Sequence, residues 1–262
     1  MLLNSVILIL REVLEAAMLI SVLLVLSLHL RGGVRWFWWS LPVGVVGTVL
    51  LAFNLVIITD ALDGAGQEVA NAALQSLVYC FTVGIVWLSV AIENGRAQIR
   101  TLTTFMAFAV ACAMIREGSE IVVYITGFSA VAEHRTAVYA GGAIGAGIGL
   151  SLGVLMFSAL RALDTKLTRT ASLALLGLIG SGMVVQSTML LEQVDWLPAG
   201  RALWDSSGLI NEQSIAGQLL YAVFGYESSP SGIQVALYIA SLLITAAAYL
   251  VARGRKGPVH VD

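Results

Sequence analysis

Arg11-Glu12-Val13-Leu14-Glu15 and its near-copy Arg116-Glu117-Gly118-Ser119-Glu120 decide how this chain reads. Each follows the pattern Arg-Glu-x-x-Glu, and each sits in the middle of a long apolar run. A charge at the centre of a membrane span costs about 2.5–3.5 kcal/mol on the insertion scale. Six of them, uncompensated, would cost on the order of 15–20 kcal/mol. Carrying that penalty twice in one pattern implies that the charges meet and that together they hold something.

The surroundings are those of a membrane protein. Of 262 residues, 58% are hydrophobic and 11% charged, with a mean hydropathy of +0.90. An average soluble domain is about 25% charged, so the fold expected is all-α and polytopic. A net charge of −2 offers no basic surface for nucleic acid. Cys80 and Cys112 lie in separate apolar runs without a C-x-x-C spacing and read as small hydrophobes. The N-terminus lacks a basic n-region, and Arg11-Glu12 interrupts the apolar stretch, so the first segment is expected to stay as a transmembrane helix.

Runs long enough to cross about 30 Å of hydrocarbon fall at roughly 2–28, 36–58, 72–92, 103–127, 136–160, 172–191 and 233–252, seven in all. The second opens on the aromatic group Trp36-Phe37-Trp38-Trp39, suited to a membrane interface, with Pro42 in its first turns. With the N-terminus outside, the inner loops and tail carry ten Lys and Arg and the outer loops only Arg135 and Arg201, which predicts N-out, C-in. Nine of the 16 acidic residues, Asp205 and Glu227 among them, fall outside. They read either as a funnel concentrating cations or as ordinary solvated loop surface.

Gly141, Gly145, Gly149 and Gly153 recur every four residues in the fifth span, a small-residue face that lets helix backbones approach closely. The long connection 192–232 is expected to hold one or two short helices over the outer mouth, the second stopped by Gly225.

The motifs stand 105 positions apart, each opening a set of three spans. The predicted organisation is repeat 1 over 1–100, repeat 2 over 101–191, the outer segment over 192–232, and a seventh span with a cytoplasmic tail over 233–262. Three crossings is an odd number, so the second repeat enters inverted, which puts a substrate site near the midplane between the halves. Within each motif, three charges occupy one arc of about 100° of the helix. Facing each other, the motifs offer four carboxylates and two guanidiniums, a formal −2. His29, His134 and His260 all lie in loops or the tail, leaving an oxygen-only donor set that suits a hard, highly charged cation. Arg11 and Arg116 read as charge-balancing groups, with Ser119 and Thr126 as further oxygens or simply bonded back to their own helix. Plain helix stapling would need one Glu per Arg, and there are two.

With these residues in place the chain resembles the oxidase-dependent iron permeases, whose signature is R-E-x-x-E and whose compact bacterial members are the EfeU and FtrC types. The stretches Leu203-Trp204-Asp205-Ser206-Ser207 and Gly225-Tyr226 to Pro230-Ser231 also resemble that family's outer segment. The resemblance implies a permease of the cytoplasmic (inner) membrane, not an enzyme. Its metal ligands would be Glu12, Glu15, Glu117 and Glu120; Asp205 and Glu227 read either as outer relay carboxylates or as solvated loop acids. It implies iron as substrate, passed on as Fe(III) by a separate oxidase and an iron-binding accessory protein, and no organic cofactor. Val13 departs from the Gly common at that position, which puts the packing of the first span in question. The competing readings are a permease for lead or a divalent metal, and an intramembrane lipid-phosphate hydrolase. The hydrolase needs a phosphate-gripping Ser/His/Arg cluster that the sequence lacks.

Overall fold

The computed structural model describes residues 1–254, and among these there are eight helices and no strand. They are α1 (Leu2–His29), α2 (Arg35–Ala61), α3 (Gly66–Glu93), α4 (Ile99–Ser129), α5 (Ala132–Arg161), α6 (Thr165–Gln193), α7 (Ile215–Phe224) and α8 (Gly232–Gly254). Five of them, α2, α3, α5, α6 and α8, are long and apolar enough to cross a membrane. With the family assignment given below, this makes the chain a multi-pass membrane protein. The long helices run one to several residues past the apolar stretches read from sequence, because polar ends such as Gln67-Glu68 and Arg100-Thr101 are part of the helix. The tail expected to carry Arg255 and Lys256 lies outside the described residues.

The buried centre is made by α1, α3, α4 and α6, where Leu14, Leu19 and Leu23 meet Ile85, Leu102, Met106, Leu176 and Ile179. The second, fifth and eighth helices lie outside this core with most of their apolar side chains uncovered, as expected for surfaces that face lipid.

Two helix pairs dominate the packing, α1 with α5 and α2 with α4. The first depends on the glycine face. A Cβ at Gly145 would stand 2.5 Å from the carbonyl oxygen of Val6, and one at Gly153 would stand 2.7 Å from Cβ of Ala17. In the second pair Gly44 admits Met114, and Thr48 Oγ1 donates to the Met114 carbonyl at 2.9 Å. Both pairs run parallel, since contacts advance in step along the two chains. By contrast α1 and α4 cross antiparallel: Ser5 meets Tyr124 at 2.8 Å while Glu15, further along α1, meets Arg116, further back on α4.

The Val13 departure is explained here. At the matching positions, Gly118 of α4 accepts Thr48 of α2, whereas Val13 of α1 packs on Gly149 of α5. The small residue has moved to the partner helix, and close approach is kept.

The connection 192–232 holds one short helix. Ser214 caps α7 by accepting the Gly217 N–H at 3.0 Å, and Gly225 ends it at φ 63, as its sequence position predicts. Gly225 lies against Gly182 of α6, so α7 is seated on the bundle. The two loop stretches singled out above pair with each other: Leu203 N–H donates to the Pro230 carbonyl at 2.9 Å and Ser206 N–H to that of Ser228 at 2.8 Å.

Gly145→Leu should therefore force α1 from α5 and lower the thermal unfolding temperature in detergent, at a cost of roughly 1–3 kcal/mol. A Cβ at Gly147 would meet nothing within 4 Å, so Gly147→Ala should be neutral or slightly stabilising. Equal effects at the two positions would contradict the packing described.

Candidate functional site

The antiparallel crossing of α1 and α4 brings both motifs to one place. All six charged side chains meet there, as the sequence predicts, but they are not divided evenly. Nη1 of Arg116 lies 3.5 Å from Glu12 Oε2 and 3.1 Å from Glu15 Oε2, and it also pairs with Glu117. Nη2 of the same residue lies 3.2 Å from Glu120 Oε1. A single guanidinium thus gathers all four carboxylates. Arg11 makes one ion pair, Nε to Glu15 Oε1 at 3.3 Å. Its guanidinium carbon lies 3.8 Å from the ring centre of Tyr221, on the short helix α7. Each Arg pairs within its own motif, but only Arg116 also reaches across to the other, so Arg116 is the hub, while Arg11 is held by a cation–π contact.

Burial follows the same division. Glu12, Glu15, Arg116 and Glu117 are sealed, whereas the Glu120 side chain keeps 24% of its exposure and that of Arg11 keeps 33%. Openings to the cluster therefore lie beside Glu120 and Arg11. Among the described residues no three Asp, Glu, His or Cys side chains are grouped so as to hold a metal ion directly. The reason is visible in the distances above: the Arg116 guanidinium stands between the carboxylates. Two carboxylate oxygens, Glu12 Oε2 and Glu117 Oε1, have no hydrogen-bond partner among the described residues. Four carboxylates and two guanidiniums leave a formal −2 in a low-dielectric centre, where an unneutralised charge is costly.

Several contributors were not singled out from sequence. Asn71 Nδ2 of α3 donates to Glu120 Oε1 at 2.9 Å. One turn on, Gln75 Nε2 donates to Gln186 Oε1 of α6 at 2.5 Å. Asn71, Gln75, Thr82 and Ser89 are buried on one face of α3, a polar line in an apolar helix. Amides inside apolar spans were the available signal. Nothing in the sequence marked Tyr221. Ser119 and Thr126 are bonded back to their own helix, to the Arg116 and Val122 carbonyls.

Of the two loop candidates, Asp205 is exposed, and the Ser207 side chain together with the Ser207 N–H, which donates to it at 2.9 Å, holds its carboxyl below the usual range. Glu227 is half-buried and pushed up to about 7 by burial and by the neighbouring Glu212 carboxylate, with Arg11 pulling the other way. The structure does not bring Asp205 into contact with the motifs. Glu227 lies within electrostatic reach of Arg11.

The profile of the iron permease FTR1 family matches residues 2–257. The chain belongs to that family. Searches of curated proteins and of solved structures return no match. Membership makes it an iron permease, a transporter rather than an enzyme, with iron as the substrate.

Removing the hub should be far worse than removing the satellite. Arg116→Met leaves four gathered carboxylates without their common partner and should destabilise by about 3–5 kcal/mol. Arg11→Met, which loses one ion pair and one ring contact, should cost roughly 1–2 kcal/mol. Thermal unfolding in detergent compares them, and equal losses would contradict the asymmetric arrangement.

Proposed function

We propose that the two Arg-Glu-x-x-Glu motifs form one intramembrane site through which Fe(III) moves inward across the cytoplasmic membrane, with Glu12, Glu15, Glu117 and Glu120 as its ligands. The observation that carries this is the convergence of four carboxylates from two distant stretches on a single guanidinium, with a net −2 left over. Oxygen donors alone favour a hard ion, and a trivalent one best offsets the charge. Arg116 is then the ion's stand-in. It neutralises the carboxylates when no metal is present and withdraws as the metal enters, so the cluster does not repel itself apart.

The reading extends to topology. Alongside the five apolar helices, α1 and α4 are taken as spans, giving seven with N-out, C-in. Residues 1–100 and 101–191 are taken as inverted repeats. The parallel α1/α5 and α2/α4 pairs are counterparts under that operation, and the antiparallel α1/α4 crossing supports it. The outer segment 192–232 then covers the entrance. An ion arriving from a partner oxidase or accessory protein meets the Glu227–Glu212 region, with Asp205 further out. It passes where Arg11 stacks on Tyr221 and reaches the cluster. Beyond Glu120, the buried Asn71, Gln75, Thr82 and Ser89 give it an oxygen-lined way inward. Gln75 Oε1 and Thr82 Oγ1 have no hydrogen-bond partner among the described residues, which suits groups that serve a passing hydrated ion.

Uptake into proteoliposomes separates the metals. Fe(III) presented by a chelator should enter faster than Fe(II) or Pb(II), and Glu12→Gln with Glu117→Gln should lower Fe(III) uptake at least about tenfold, equivalent to about 1.4 kcal/mol. Wild-type rates in a correctly inserted double variant would sink the proposal. A preference for Pb(II) would assign the site to another metal.

A further inference from the structure

A second site lies away from the motifs, where α2 and α4 part. The two helices are pressed together around Gly44, Gly47 and Gly118, where Met114, Ile115 and Thr48 fill the space a side chain would need. Toward their N-terminal ends they part and line an open-sided cavity of about 740 Å³. That is within the range of about 300–1,000 Å³ typical of small-molecule sites.

The cavity has two kinds of wall. At one end are Arg35, the first residue of α2, and Arg100, the second residue of α4. Both are exposed, neither makes an ion pair with any described residue, and no acidic side chain lines the cavity. Neither helix has a side-chain cap at its N-terminus, so first-turn N–H groups add to the positive potential. Further along, the wall is apolar: Val43, Ala107, Phe108 and Ala111. This part faces outward along α2, the least buried of the five long apolar helices, and Val43 and Phe108 are each about half exposed. Trp36 and Trp39 mark the join between the two zones. The Trp36 ring is buried, with Nε1 donating to Ser27 Oγ at 2.9 Å, and Trp39 is 72% exposed. A tryptophan pair at such a boundary sits at headgroup level.

We propose that this cavity binds an anionic phospholipid, its phosphate between Arg35 and Arg100 and its acyl chains along the apolar wall of α2 and α4. Charge complementarity selects an anionic headgroup, and the outward-facing apolar wall selects a lipid over a free anion. In the proposed orientation the site is in the inner leaflet; binding itself does not depend on that orientation or on iron transport. A bound lipid would brace the splayed ends of the α2/α4 pair, and α4 carries the hub arginine.

Native mass spectrometry of the full chain, delipidated in detergent, tests this with dioleoylphosphatidylglycerol, dioleoylphosphatidylcholine and inorganic phosphate as probes. Phosphatidylglycerol should be retained over phosphatidylcholine. Arg35→Gln with Arg100→Gln should weaken its retention roughly 10–30-fold, as expected for losing two phosphate-facing arginines. Ala107→Trp, which fills the cavity and keeps both charges, should weaken it as well. Arg161→Gln with Lys166→Gln, which removes two exposed charges elsewhere on the surface, should leave it unchanged. Retention at the wild-type level in either cavity variant would overturn the proposal, as would an equal loss in the surface control. Displacement of the lipid by millimolar inorganic phosphate would reassign the site to a free anion and overturn the lipid assignment.

Discussion

The arrangement rests on one electrostatic constraint: six charges must be buried together where water is scarce, and each carboxylate must find a partner. One guanidinium meets this demand by reaching two glutamates of α1 and two of α4 at once. That geometry requires α1 and α4 to cross with their motifs in register, and the remaining helices make the crossing possible. The glycine face of α5 backs α1, and α2 backs α4 through Gly44 and Gly47. These pairs hold the charged helices from the outside, with contacts too close for any larger side chain. Helices in lipid have no hydrophobic drive to associate, so such close packing is the force available.

The inequality of the two arginines connects structure to transport. Arg116 is sealed and shared, while Arg11 is partly open and leans on Tyr221 of α7. In the proposed mechanism the first is exchanged for the ion and the second stands at the entrance. Because α7 is anchored on α6 through the Gly182–Gly225 contact, the ring that holds Arg11 is positioned by the fold.

The motifs were legible because charge in an apolar helix has few explanations, and their meeting was expected from the pattern's occurring twice. The glycine face of α5 and the Gly225 cap were legible because periodicity and a left-handed stop leave direct marks in sequence. The sharing of Arg116 was not legible. Helical spacing orders charges within one motif but cannot say which arginine turns toward the opposite helix. Asn71 and Gln75 carried a usable signal, amides in apolar spans, whereas Tyr221 looked like any aromatic residue of a loop helix. Val13 read as a departure and proved to be a compensated one, since the small residue that allows close packing lies on the partner helix as Gly149, 136 positions away.

X-ray absorption at the iron edge, on purified protein loaded with Fe(III), tests the central claim most directly. The account predicts a first shell of oxygen alone, with no nitrogen or sulfur scatterer, and its loss when Glu12 and Glu117 are both changed to Gln. A shell containing imidazole nitrogen or thiolate sulfur, or an unchanged spectrum in that double variant, would contradict it.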